Sequence, residues 1–250
     1  MQSPTSDDKP LLTVIMPVFN ESPTINEVLR RVLAAPYTKQ IIVVDDGSTD
    51  GTEAILSKWE EQSIIEVFCH ERNRGKGRAI RTALERARGQ FVIIQDGDLE
   101  TDPQEYPLLV EPLLEGRADF VIGSRFLRGA YSRQPAALAF RMGVRLLNFA
   151  VWLLYRVRVS DEACCYKVLP CAILKAMDLQ CERFEFCPEV VAKAVRMRLR
   201  MNEVAIRYSP RTAESGKKVR YRDGLCALWC LWKLRNWSPT PNRSATQSSV

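Results

Sequence analysis

Only one histidine, His70, occurs in the 250 residues, so a catalytic or metal-binding set of imidazoles is not available. The eight cysteines contain no CxxC pair, and with one histidine they do not suit a structural zinc site. No segment reaches the roughly 20 apolar residues that a membrane-spanning helix needs. A GxxxxGK[ST] loop is missing, and Gly75-Lys76-Gly77-Arg78-Ala79-Ile80 lacks the third glycine of a dinucleotide fingerprint. Acidic residues are absent from Phe120 to Ser160, where Arg125, Arg128, Arg133, Arg141, Arg145, Arg156 and Arg158 all fall. A second basic zone runs from Arg196 to Arg235. Such a half attracts phosphate, whether in nucleotides, nucleic acid or anionic lipid headgroups.

With 46% hydrophobic and 26% charged residues the chain reads as globular, and its length suits one large domain or two small ones. Met1 to Lys9 is polar and acidic, unlike a secretory leader, so a cytoplasmic setting with reduced thiols is expected. Cys164-Cys165 and Cys226/Cys230 are then expected as small buried apolar side chains.

Leu11 to Met16 is a short apolar run stopped by Pro17 and predicts a buried strand. Thr24 to Ala35 has helical spacing through Ile25, Val28, Leu29, Val32 and Leu33, with Pro36 as its stop. The alternation continues: strand 41–44, helix 52–61, strand 64–69, helix 76–88, strand 91–95, a helix after Pro103, strand 119–122. Continuous apolar strands separated by amphipathic helices predict an α/β fold, a Rossmann-like, mostly parallel sheet with helices on both faces. From about Phe126 the helices lengthen. Asn202 to Tyr208 alternates like a strand with one polar face, Arg211 to Lys218 reads as mobile, and Trp237 onward has a disordered composition. Leu138 to Tyr155 and Leu225 to Trp237 are too short or too interrupted by charge to span a bilayer, but could lie in its interface.

Ligands of such sheets bind outside the carboxyl ends of the strands. The polar clusters 17–21, Asp45-Asp46, Asp96-Gly97-Asp98 and Gly123-Ser124-Arg125 all fall there. Residues two apart on an extended chain share a face, so Asp96, Asp98 and Glu100 are candidates to hold Mg²⁺ or Mn²⁺, with Gly97 allowing close backbone approach. A parallel sheet that lacks a phosphate-cradling loop but carries a DxD would hold a diphosphate through a metal, which points to nucleotide-sugar chemistry.

MPVFNE (16–21), VVDDGSTDGT (43–52), NRGKG (73–77), QDGDLETDP (95–103) and GSR (123–125) resemble, in order, the motifs of the inverting family-two glycosyltransferases with the GT-A fold. SDEACCYK (160–167), FEFCPEVVAK (184–193) and 203–224 are similar to the branch that moves a hexose onto polyprenyl or dolichyl phosphate. The resemblance implies a single domain over 1–236. Residues 11–125 would bind the nucleotide sugar, 126–236 would face acceptor and membrane through C-terminal amphipathic interface helices, and 237–250 would be a disordered tail. It places Pro17, Phe19 and Glu21 at the nucleobase with Val44 and Asp46, and Asp96, Gly97, Asp98 and Glu100 at the ribose-diphosphate and metal. Arg125 is expected at the phosphates, and Arg211 with Lys218 closing over donor and acceptor phosphate. Asp161 and Lys167 match the pattern without an assigned step.

The expected partners are a GDP- or UDP-hexose, with GDP-mannose slightly favoured, a polyprenyl or dolichyl phosphate, and the cytoplasmic surface of a membrane, with no nucleic acid. The absence of QxxRW favours a single transfer over polymerisation. Phosphate acceptors are already ionised at neutral pH and need no strong base, and arginines match their oxygens. Transfer to a sugar hydroxyl would need a carboxylate base, and a non-catalytic nucleotide-sugar or nucleic-acid binder is the reading outside enzymes.

Overall fold

The computed structural model describes residues 9–61, 64–127, 135–211 and 221–239. Lys218 and the tail from 240 lie outside the described residues. The strands are β1 (Leu12–Val18), β2 (Lys39–Asp45), β3 (Glu66–Cys69), β4 (Phe91–Ile94), β5 (Phe120–Ser124), β6 (Lys167–Pro170) and β7 (Met201–Ala205). They form one sheet in the order β3-β2-β1-β4-β6-β5-β7. All run parallel except β6, which is antiparallel to both its neighbours. Around the sheet pack α1 (Ile25–Ala34), α2 (Thr52–Glu60), α3 (Lys76–Arg86), α4 (Tyr106–Leu114), α5 (Pro135–Tyr155), α6 (Cys171–Ala176), α7 (Phe186–Arg196) and α8 (Tyr221–Leu234).

The central strands are apolar on both faces because both faces are covered. Val14, Ile15, Ile42, Val43, Val92 and Ile93 are all inaccessible to solvent. Each such side chain contributes on the order of 1.5–3 kcal/mol relative to exposure. Helix α1 buries Ile25, Val28, Leu29 and Val32 and ends where expected. Ala35, next to Pro36, is extended at ψ 153°, because a proline ring disfavours helical geometry in the residue before it.

Four details depart from expectation. β6 was not legible: it has four residues, and its reversed direction brings the chain from 160 to 166 to the carboxyl edge of its neighbours. β7 closes at Ala205 rather than Tyr208, since the Arg207 N–H turns to Glu105 (2.8 Å) and the Tyr208 hydroxyl to Glu100 (2.9 Å). Trp237 is fastened to α7: its carbonyl accepts from Arg196 Nε (2.8 Å) and Lys193 Nζ lies 5.2 Å from its ring centre. Cys226, expected inside, is exposed on α8, whereas Cys230 one turn later is buried.

α5 and α8 leave apolar side chains in solvent. Leu138, Met142, Leu146, Phe149 and Leu153 are exposed at helical spacing, as are Leu225, Trp229 and Trp232. The two helices are joined where the Tyr155 hydroxyl donates to the Leu231 carbonyl (2.6 Å). No helix among the described residues is long and apolar enough to cross a membrane.

A glycine in a helix ordinarily loses about 1 kcal/mol to alanine. Gly77, in the first turn of α3, should reverse that sign, since a Cβ there would stand 2.5 Å from the Cys181 carbonyl oxygen. Gly77→Ala is expected to lower stability by about 1–3 kcal/mol in urea melts. Gly143→Ala on α5, where a Cβ meets nothing within 4 Å, is expected to raise it by up to about 1 kcal/mol.

Candidate active site

The register of the sheet explains why the polar clusters meet. Val18 pairs with Asp45 across β1 and β2, and Ile15 with Ile94 across β1 and β4. Phe19 to Glu21, Asp46 and 95–100 therefore emerge at one edge. The reversal of β6 pairs Lys167 with Ile122, which adds 160–166 to the same edge beside Arg125.

Asp46 organises the loop before α3. Its carboxylate accepts from the backbone N–H groups of Arg74 (2.9 Å) and Gly75 (2.7 Å), and His70 Nδ1 lies 2.7 Å away. The other His70 nitrogen meets Thr82 Oγ1 at 3.0 Å. The sole histidine thus braces this loop. Gly75 can hold the turn because its φ is +98°, and a Cβ there would meet the Glu182 carbonyl oxygen at 2.3 Å.

Lys76 leaves this loop and forms an ion pair with Asp96. Burial acts to raise the Asp96 carboxyl, but the ammonium beside it more than reverses this and holds it below its ordinary value. Gln95 steadies the backbone here. Its side-chain N–H donates to the Asp96 carbonyl (3.0 Å), while its oxygen accepts from the hydroxyls of Tyr106 and Tyr166 (3.0 and 2.8 Å). Arg211 arrives from the far end of the chain: Nη2 is 2.7 Å from Glu21 and 3.1 Å from Asp98, and its backbone N–H donates to Glu100 (3.0 Å).

Behind these groups lies a nearly dry ion pair. Arg125 is 7% exposed and Asp161 0%; Nε and Nη2 each donate to a different Asp161 oxygen at 2.7 Å, and the Arg125 backbone N–H adds a third bond (3.0 Å). Burial works against the charge on Arg125, yet Asp161 keeps it protonated well beyond its usual range. The rings of Phe126, Phe140 and Tyr208 surround the guanidinium at 5.9, 5.2 and 5.1 Å. Glu203 on β7 accepts from the Ser160 N–H and hydroxyl and from the Asp161 N–H at 2.8–3.2 Å, which fixes the entrance to this segment. Lys167, fully buried, donates to the Glu162 and Cys164 carbonyls. The Glu162 carboxylate is fully buried, and neither oxygen has a hydrogen-bond partner among the described residues. Burial pushes its carboxyl up to about 7, against the pull of Lys167.

Glu21, Asp96, Asp98, Glu100 and Arg211 are therefore brought together, with Pro17 and Phe19 half-buried nearby on β1 and the turn after it. Gly97 has tight but sufficient room, a Cβ meeting Val18 at 3.2 Å. Three of the expected residues are engaged differently from this group. Val44 is completely buried within β2. Glu100 uses its oxygens on Tyr208 and Arg211, so the three carboxylates form no ready cage, and no such cluster occurs among the described residues. Arg125, expected at phosphates, is paired with Asp161 in this structure. Lys76, Glu162 and Glu203 were missed; Lys76 at least carries a signal, as the first helical residue after the NRG turn.

Asp96 and Asp98 alone fit Mg²⁺ or Mn²⁺, because Mg²⁺ commonly takes one or two carboxylates and completes its shell with water and phosphate oxygens. Both are only partly buried, Asp96 paired with Lys76 and Asp98 with Arg211.

The chain belongs to the family described as glycosyl transferase family 2, whose model matches residues 13–177. It is 29% identical over 206 residues to the dodecaprenyl-phosphate galacturonate synthase of Rhizobium johnstonii, covering 80% of this chain and 59% of that protein. It is 35% identical over 185 residues to the undecaprenyl-phosphate 4-deoxy-4-formamido-L-arabinose transferase of Pseudomonas fluorescens, covering 71% of this chain and 52% of the relative. The chain thus spans a little over half the length of these relatives. Its fold is similar to glucosyl-3-phosphoglycerate synthase from Mycobacterium tuberculosis, solved with Mn²⁺, UDP and phosphoglyceric acid (TM-score 0.68, 19% identity, 93% of this chain and 80% of that one). It is also similar to a mannosyltransferase from Pyrobaculum calidifontis solved with GDP-mannose and Mn²⁺ (TM-score 0.63, 21% identity, 96% of this chain and 68% of that one). The sheet is therefore that of the GT-A fold.

Glu162 makes stability depend on pH. The native carboxyl keeps its proton to about pH 7, whereas the ordinary value is 4.5, so the unfolded state binds fewer protons between the two. Stability is expected to fall from about pH 4 to about pH 7, by on the order of 3 kcal/mol, and to level off above. Glu162→Gln should flatten that slope in denaturant titrations at stepped pH; an unchanged slope places the titration elsewhere.

Proposed function

We propose that this chain transfers one sugar from a nucleotide sugar to a polyprenyl or dolichyl phosphate, inverting the anomeric carbon, with Mg²⁺ or Mn²⁺. The observation that carries the reading is Arg211 bridging Glu21 and Asp98 at the mouth of the site, with Lys76 on Asp96: carboxylates and mobile cations are interleaved where a charged diphosphate would sit. The two relatives, a dodecaprenyl-phosphate galacturonate synthase and an undecaprenyl-phosphate formamido-arabinose transferase, support a polyprenyl phosphate acceptor.

Asp96 and Asp98 would hold the cation, which supplies Lewis-acid stabilisation to the departing diphosphate. Arg211 exchanges its carboxylate partners for phosphate oxygens, with Lys218 from the adjoining segment. The acceptor phosphate oxygen attacks the anomeric carbon as the bond to the diphosphate breaks on the opposite side. No base is required, in keeping with a site whose one histidine is bound to Asp46 and Thr82. Residues 11–125 serve the donor and 126–236 the acceptor. The exposed apolar faces of α5 and α8, flanked by Arg141, Arg145 and Arg156, rest on the headgroup layer and bring the isoprenoid phosphate within reach, which makes the protein peripheral on the cytoplasmic surface. GDP-mannose is the donor favoured by sequence resemblance; the relatives act with other sugars, galacturonate and formamido-arabinose, and a fold neighbour was solved with UDP, so UDP donors are carried beside it.

The test is transfer of radiolabelled sugar from GDP-mannose, UDP-glucose and UDP-galacturonate into organic-extractable polyprenyl phosphate, with each cation and with EDTA. Labelling from one donor that EDTA abolishes is expected; water-soluble product alone would overturn the lipid acceptor. Asp98→Asn should lower transfer by about 100-fold or more with an unchanged circular dichroism spectrum. Flotation with vesicles containing anionic lipid should recover the wild type, and a Trp229→Glu, Leu146→Glu variant should remain at the bottom of the gradient while keeping its fold.

A further inference from the structure

Cys181 lies in the segment between α6 and α7, and Cys230 on the inner face of α8, 49 residues away in sequence. Their sulfurs are 3.6 Å apart. A disulfide needs about 2.0 Å, a difference that small side-chain rotations can cover. Cys181 is half-buried and accessible to a small reagent, and Cys230 is buried behind it. The surroundings of Cys181 are held firmly: its backbone N–H and that of Gln180 donate to the two Glu189 oxygens at 2.8 Å each, and Glu189 is itself paired with Lys193 in the interior. The same segment supports the donor side of the site. The carbonyls of Glu182 and Arg183 accept from Arg78 (2.9 Å) and Gly77 (3.1 Å), the turn that carries Lys76 to Asp96.

We infer that Cys181 and Cys230 are a modification site, a dithiol that low-molecular-weight disulfides such as oxidised glutathione convert into an intramolecular bond. One cysteine thiolate attacks the small disulfide, forms a mixed disulfide and releases one small thiol. The second thiolate then displaces the other small thiol, so the protein loses two protons and two electrons and two small thiols carry them away. The product fastens α8, with its exposed Trp229 and Trp232, to the segment that seats the start of α3. The bond to Cys230, burial and the Glu189 charge all hold the Cys181 thiol protonated above its ordinary range, so exchange is slow at neutral pH and quickens as pH rises. Cys226, exposed one turn before Cys230, is the competing thiol.

The full chain is incubated with oxidised glutathione at pH 8.5, unfolded in N-ethylmaleimide, and analysed by intact mass and peptide mapping. The expected result is the loss of two maleimide labels, a cross-linked peptide joining Cys181 to Cys230, and reversal by dithiothreitol. The oxidised form should melt on the order of 10 °C higher, as a closed loop of this length implies. Cys226→Ala should react like wild type, and Cys181→Ala and Cys230→Ala should each keep the labels. Stable glutathione on either cysteine, a Cys181 to Cys226 linkage, or no loss of labels would overturn the inference.

Discussion

A guanidinium and a carboxylate placed inside a protein each lose several kcal/mol of hydration, and only close mutual contact offsets this. Arg125 and Asp161 meet that condition with two parallel bonds and a backbone bond. The pair ties the end of β5 to the segment entering β6, and that segment is tied in turn to β7 through Glu203 and to α5 through Asn148, whose side chain meets the Ser160 carbonyl (2.7 Å) and the Glu162 N–H (3.0 Å). Four elements, β5 and three from the second half of the chain, thus converge on one ion pair. The cost is a crowded interior in which the carboxylate of Glu162, next in sequence, has no hydrogen-bond partner among the described residues.

The first half has a corresponding hub at Asp46. Backbone donors to its carboxylate shape the turn that launches α3, and the carbonyls of 182 and 183 receive the first N–H groups of that helix. A helix start is normally left with unsatisfied donors. Here they are met by another loop instead of a capping side chain, so Lys76 is positioned by contacts from both halves.

The parallel strands and their helices were legible because buried strands carry continuous apolar runs and helices carry a stripe; Val14 to Met16 and Ile41 to Val44 meet the first condition and 25–34 the second. Asp96, Asp98 and Glu21 were legible because they follow such strands. β6 escaped since four residues of mixed character have no period to detect, and the partners of Arg125 escaped because an arginine that reaches a ligand and one that pairs internally look alike in sequence. Glu162 left no signal at all: its isolation is a property of packing between α5, β6 and α7. Trp237 read as tail since its attachment depends on Arg196 and Lys193, 41 and 44 positions earlier.

The Lys76–Asp96 and Arg211–Asp98 contacts make the ligand-free site an ion exchanger in miniature. Under the proposed function, a cation that took these carboxylates would displace an ammonium and a guanidinium already seated on them, so its affinity would be the difference between two sets of charge contacts. Displaced basic groups regain value only when phosphates arrive to receive them. On that proposal, cation and nucleotide would each bind better in the presence of the other, a coupling carried by side chains that change partners.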